Sequence, residues 1–294
     1  MSIFRRSFLA TALGLGFAGT ALAAEPLQLQ VYNPGKNAIF PVSSVIVSGA
    51  TEAVLIDAQF QRNDAQAVVE KIQATGKRLT TVYVSHSDPD YYFGLDVVRA
   101  AFPDAKIVAT PETVASIQAS KDGKLAHWGP ILKDNAPKAL VVPAPLAQRS
   151  LTVDGQTLEI RGPEAARSFV WIPALKTVVG GIPVAANLHV WVADTQTAAS
   201  RQAWGKTLDA IEALKPRAVV PGHYLVGADG KRPDTLASVR FTRDYLRTFE
   251  QEAARAKDST ALIVAMQQRY PMLGESSSLE LSAKVIKGDM KWPQ

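Results

Sequence analysis

The sequence holds four histidines, His86, His127, His189 and His223, and no cysteine. A thiol nucleophile, a disulfide framework and any Cys-based zinc or iron–sulfur site are therefore excluded, and a metal would have to be held by imidazoles and carboxylates. One stretch concentrates such groups: His86-Ser87-Asp88-Pro89-Asp90-Tyr91-Tyr92-Phe93-Gly94. Two carboxylates beside an imidazole, on a loop stiffened by proline and closed by glycine, can converge on one point. Like charges crowded in this way are costly unless a cation or a proton relieves them. The alternative is a solvated acidic turn that caps the next helix through Asp90. Pro221-Gly222-His223 places a second histidine directly after an apolar run. His189 in Asn187-Leu188-His189-Val190-Trp191 reads equally as a substrate-facing or a packing residue. His127, beside Trp128 in what reads as a Gly/Lys-rich loop, is expected to be structural or a lip residue of the site. There is no Walker-type phosphate loop and no nucleophile elbow around any serine.

The elements that must position these residues alternate at first between strand and helix. Leu27 to Tyr32, Val42 to Ser48 and Ala53 to Ala58 read as strands. A helix follows over Asn63 to Thr75, with Ala65, Val68, Val69 and Ile72 on one face and Gly76 closing it. The strand Leu79 to Ser85 feeds the His86 loop. After it come a helix over Gly94 to Phe102, a strand at Lys106 to Ala109 and a helix opened by Pro111. The middle reads as short, largely antiparallel strands at Ala139 to Val142, Ser150 to Val153, Gln156 to Arg161, Ser168 to Ile172 and Lys176 to Val179. A helix over Ala198 to Lys215 is expected to be capped by Asp194 or Gln196 and to bury Trp204, Leu208, Ile211 and Leu214. It precedes the strand Arg217 to Val220 that delivers His223. Helical patterns fill the C-terminal part. Two mixed sheets with helices outside both is the economical architecture.

The segment His86 to Gly94 resembles the His-x-His-x-Asp-His motif of the metallo-β-lactamase superfamily, which also follows a strand and ends in a glycine. Val54-Leu55-Ile56-Asp57 is similar to that family's preceding strand with its terminal aspartate. Phe169 to Pro173 with Lys176 to Gly181 resembles its hairpin, and Pro221-Gly222-His223 its last-ligand motif. The resemblance runs over roughly residues 28 to 225. It implies an α/β (α+β) fold, the four-layer αββα sandwich, within a domain over residues 24–294 that ends in a helical extension. It also implies a metal held by His86, Asp88, Asp90 and His223. His86, Asp90 and His223 match the family's ligands by position, whereas Asp88 stands in the second histidine's place and Tyr91 in the third's. Ala165 replaces a further histidine, and Ile182 the bridging aspartate. With the ligand set so altered, the resemblance implies one divalent transition ion per chain at most. Zinc comes first and manganese or iron second, with no ion as the alternative. Asp90 would serve as a base, Tyr91 as a hydrogen-bond donor to an oxyanion, and His189 would face the substrate.

Composition narrows the surroundings. The formal charge is +5, and two of the cations, Arg5 and Arg6, fall in a leader-like start. Residues 1–23 read as a cleavable signal peptide, with a basic start, an apolar stretch and Ala21-Leu22-Ala23 as the small-x-small end. Arg5-Arg6 fits either a Sec or a twin-arginine signal, and a retained anchor is the alternative. The expected location is periplasmic or secreted, with no stable membrane insertion after cleavage. No basic run interleaved with aromatics indicates a nucleic-acid partner. The functional expectation is an exported metal-dependent hydrolase acting on an ester, lactone or amide of a small molecule. The alternative is a non-catalytic small-molecule-binding protein on the same fold.

Overall fold

The computed structural model of the chain describes residues 25–292. The expected leader at residues 1–23 lies outside the described residues.

Alternation along the strands sorts each side chain to one of two layers. The first sheet is built from β1 (Gln28–Tyr32), β2 (Ser44–Ser48), β3 (Glu52–Ile56), β4 (Arg78–Val84), β5 (Lys106–Ala109) and β6 (Ala144–Pro145), in that spatial order. Pairing is antiparallel from β1 to β3 and parallel from β3 to β6. Val45 and Val47, Val54 and Ile56, and Tyr83 point inward to a core between the sheets. Ile46, Ala53 and Leu55, and Val82 and Val84 point outward to a core under the helices. Those outer helices are α1 (Arg62–Ala74), α2 (Pro89–Tyr92), α3 (Leu95–Ala101) and α4 (Pro111–Leu132). The expected face of α1, Ala65, Val68, Val69 and Ile72, is the buried one.

The second sheet repeats the logic. It contains β7 (Ser150–Val153), β8 (Gln156–Arg161), β9 (Phe169–Ile172), β10 (Thr177–Val179) and, beyond a short β11 (Ala185–Ala186), β12 (Ala218–Val219). Its spatial order is β12-β10-β9-β8-β7, and β11 pairs separately with β13 (His223–Tyr224). Val170, Ile172 and Val179 face the first sheet. Phe169, Trp171 and Val178 face α5 (Ala198–Ala213), α6 (Leu236–Arg255), α7 (Ser259–Arg269) and α8 (Ser276–Lys287). Each fully buried Val, Leu or Ile of these three cores contributes about 1.5–3 kcal/mol, which fixes the register and with it the loops at the strand ends. The result is the expected αββα sandwich.

Three local expectations fail. Ala139 to Val142 is not a strand; the edge strand falls at Ala144–Pro145 instead, where a proline without an N–H is tolerated. The helix opened by Pro111 runs to Leu132, so His127 stands exposed on a helix rather than in a loop. Asp194 does not cap α5; Thr197 does, in a capping box with Ser200. Among the described residues no helix is long and apolar enough to cross a membrane.

Candidate functional site

The site sits where strand ends from both sheets meet, and a buried aspartate ties them together. Asp57 follows β3 in a left-handed conformation, φ 63°. Its Oδ1 accepts from the Ser85 backbone N–H at 2.8 Å, and its Oδ2 accepts from the Ser85 hydroxyl at 2.7 Å and the Gly181 N–H at 3.3 Å. Burial pushes its carboxyl up to about 7, against the pull of these hydrogen bonds. The residue after Ser85 is His86, so the buckle sets the direction in which the His86 loop leaves the sheet.

In that loop both aspartates are buried and paired, which removes the solvated-turn reading. Asp88 occupies the N-cap position of α2 without using its side chain there. Its Oδ1 takes the ammonium of Lys124 at 2.6 Å, and its Oδ2 lies 3.4 Å from His86 Nδ1. Lys124 comes from α4 and is itself buried. It also donates to the Ser87 carbonyl at 3.3 Å. Burial opposes the charge on Asp88, but Lys124 and His86 outweigh it and hold the carboxyl well below its usual range. Burial likewise opposes the charge on Lys124, and Asp88 and Asp194 reverse the effect. Asp194, which the sequence assigned to a helix cap, completes this cluster. Its carboxylate receives the indole N–H of Trp191 at 2.5 Å and of Trp292 at 2.9 Å, and burial together with Asp88 pushes it up to about 7. His86 is driven the other way: burial lowers its proton affinity, and Arg167 and Lys124 add to this against the pull of Asp88.

The second pair faces the first across Tyr91. His223 Nε2 lies 2.6 Å from Asp90 Oδ2, and His223 Nδ1 lies 3.0 Å from the Tyr91 hydroxyl, so both ring nitrogens are engaged. The Tyr91 ring stands edge-on between His86 and His223, with its centroid 5.6 Å from each. Burial, then the charges of Asp90 and Asp57, hold its phenol well above the usual range. Tyr91 is completely buried and does not line the cavity described below, so it orients His223 rather than reaching a ligand. His223 is fixed in turn by pairing with Ala185 and bridging to Val42. This needs Gly222: a Cβ there would fall 2.0 Å from the Gly181 carbonyl oxygen.

At Ala165 and Ile182, where the resemblance lacks ligands, the loops supply other groups. Beyond Ala165, Arg167 turns inward, with its side chain 9% exposed. Its guanidinium carbon lies 5.0 Å from the Trp204 ring centroid and its Nε 3.7 Å from Glu164, while Nη1 is buried without a hydrogen-bond partner among the described residues. Ile182 is buried and lines the cavity. His189 also lines it, donating its backbone N–H to Gly274 and placing Nδ1 3.0 Å from the Tyr245 hydroxyl. Burial lowers its pKa to about 4, so its ring is neutral at physiological pH. His127 packs its ring 4.8 Å from Trp128 and 5.3 Å from Trp292. The cavity has about 620 Å³ of free space including its open mouth. Asp88, Asp90 and His223 form its polar floor, Phe40, Phe60, Trp128, Trp191, Trp204 and Trp292 its walls, and Glu275 and Ser278 join from the C-terminal helices.

A sequence model of the metallo-beta-lactamase superfamily matches residues 38–223. The chain belongs to this superfamily. Solved structures agree on the fold. A metallo-beta-lactamase family protein from Thermus thermophilus superposes with a TM-score of 0.62 at 14% identity, covering 89% of this chain and 93% of that one. The DIM-1 metallo-beta-lactamase exposed to ceftazidime gives 0.54 at 20% identity, covering 76% and 94%. The metallo-beta-lactamase from Pontibacter korlensis gives 0.52 at 18%, covering 77% and 97%. No curated protein matches at a significant level. Members of the superfamily generally bind divalent metals, often zinc, and their fold goes with metallo-hydrolase-like function.

The donor set of this chain does not fit that centre. His86, Asp88, Asp90 and His223 form two separate pairs. Among the described residues no group of three or more His, Asp or Glu side chains is gathered to hold an ion. At the first position the counter-charge is already present: the Lys124 ammonium sits on Asp88, and the Arg167 guanidinium is close enough to lower the proton affinity of His86. At the second, Asp90 and Tyr91 take both nitrogens of His223.

Proposed function

We propose that this chain is a small-molecule-binding member of the superfamily that keeps the cleft and balances its charges with its own cations instead of a tightly held transition metal. The observation that carries this reading is the buried contact of Lys124 Nζ with Asp88 Oδ1 at 2.6 Å. A buried carboxylate so neutralised has no electrostatic need of a metal ion. A divalent cation would have to displace an ammonium held by both a carboxylate and a backbone carbonyl.

Metal-dependent hydrolysis of an ester, lactone or amide is the second reading. It draws support from Asp90 and His223, which line the cavity at positions matching the family's ligands. Elemental analysis of protein loaded with zinc, manganese or iron and then dialysed separates the two. Retention well below one equivalent, with no metal-stimulated turnover of esters, lactones or amides, is expected. One retained equivalent with hydrolysis that His223→Ala abolishes would establish the second reading and end the first.

A further inference from the structure

Resting on the binding reading above, we infer that the cleft selects a small organic cation, an ammonium group carried on an apolar body. Among the described residues, the acidic groups that line the cavity are Asp88, Asp90 and Glu275, and no lysine or arginine lines it. Two of the three carboxylates already have partners, Asp88 in an ion pair with Lys124 and Asp90 in a hydrogen bond with His223. Glu275 does not. Among the described residues its carboxylate makes no hydrogen bond and no ion pair, although it is partly buried; burial raises its pKa, against the opposing pull of His223. It is also held in place: Gly274 bridges to Leu188, accepts the His189 N–H at 2.9 Å and donates to the Asn187 carbonyl at 3.3 Å. The chain then passes through Glu275 in a left-handed conformation, φ 59°, which a non-glycine residue adopts at a cost.

The same cavity carries an aromatic wall. The Phe40 ring centroid lies 5.3 Å from that of Trp128 and 6.2 Å from that of Trp191, and Trp191 lies 5.3 Å from Trp292. Ring faces attract a poorly hydrated cation through their quadrupole, and a partly desolvated carboxylate strengthens the same preference. A neutral ligand would leave Glu275 desolvated without compensation. An anion would meet Asp90 and Glu275 together. The wall already carries one such contact, Arg167 against Trp204. Glu275, Ser278 and Trp292 lie beyond residues 38–223, the part that the superfamily's sequence model matches, so the family motifs themselves do not carry this selectivity.

Calorimetric titration of the full mature chain with three probes of one shape tests the inference: choline, its uncharged isostere 3,3-dimethylbutan-1-ol, and the anion 3,3-dimethylbutanoate. Choline is expected to bind about tenfold more tightly than the alcohol, equivalent to ~1.4 kcal/mol, and the anion not measurably. Glu275→Gln, near-isosteric and hydrogen-bonded to neither His86 nor His223, should remove most of that difference by weakening choline, with the alcohol bound no less tightly than by the parent. Tryptophan fluorescence of the same samples reports engagement of the wall. Equal affinity for choline and the alcohol, or preference for the anion, overturns the ligand class while leaving a binding cleft standing. Failure of all three probes to bind at millimolar concentration also overturns it. If the same preparation retains one metal equivalent, the binding reading itself falls.

Discussion

Removing the Lys124 ammonium tests the electrostatic account directly. Lys124→Met keeps the length and apolar stem of the side chain and deletes only the charge. At the observed 2.6 Å, two unit charges in an effective dielectric of ~20 attract by about 6 kcal/mol. Desolvation of both ions cancels part of this. The side chains are only 7% and 12% exposed, so the variant strands a buried carboxylate, and the expected loss of stability is about 3–5 kcal/mol. Urea unfolding followed by far-ultraviolet circular dichroism is the assay, and the absence of cysteine removes thiol exchange as a complication. Asp88→Asn combined with Lys124→Met should recover most of the loss, because the double variant no longer strands the Asp88 charge. Excess zinc should raise the unfolding midpoint of Lys124→Met and not that of the parent, since only the variant leaves Asp88 and His86 without a cation. A loss for Lys124→Met under ~1 kcal/mol, the scale of an exposed surface pair, would refute the reasoning. So would a double variant no more stable than the single one.

Three other outcomes are expected. Gly222→Ala, whose Cβ would lie 2.0 Å from the Gly181 oxygen, should cost about 1–3 kcal/mol or more and loosen His223 from Asp90. An unchanged melting temperature would show that the two loops can separate freely. Asp57 has a folded pKa of about 7, above its unfolded value of about 3.9, so the folded state binds the extra proton between these limits. Asp57 should therefore lower stability as pH rises from about 4 to about 7, by an amount on the order of 4 kcal/mol, and Asp194, also pushed up to about 7, acts in the same direction. Asp57→Asn, which keeps an acceptor for the Ser85 N–H, should flatten that slope, and identical slopes in parent and variant would count against the assignment. For export, mass spectrometry of protein recovered from the periplasm should find residues 1 to about 23 removed. An intact Met1 end would overturn this.

The sequence by itself determined the architecture, because the short apolar and β-branched runs of β2, β3, β4, β9 and β10 and the i, i+3, i+4, i+7 face of α1 are local signals. These strands are apolar on both faces, and two sheets with helices outside is the packing that buries both. The sequence also singled out the His86 to Gly94 loop and His223, since a rigid strand followed by Gly- or Pro-bounded polar residues marks a site without reference to the rest of the chain. Only the tertiary structure decided what those residues do. Lys124 lies in Ser120-Lys121-Asp122-Gly123-Lys124, within the stretch that reads as a Gly/Lys-rich loop. Its spacing from Ile117 and Trp128, on the inner face of α4, was the one available sign that it is buried. Asp194 carries the signature of a helix cap, and its real partners, Trp191, Trp292 and Asp88, include residues 98 and 106 positions away. Arg167 and Glu275 show no pattern at all. Whether a buried carboxylate meets a metal ion, an ammonium or an unfilled cleft depends on which distant side chain the packing brings within 3 Å. Local periodicity carries no information about that.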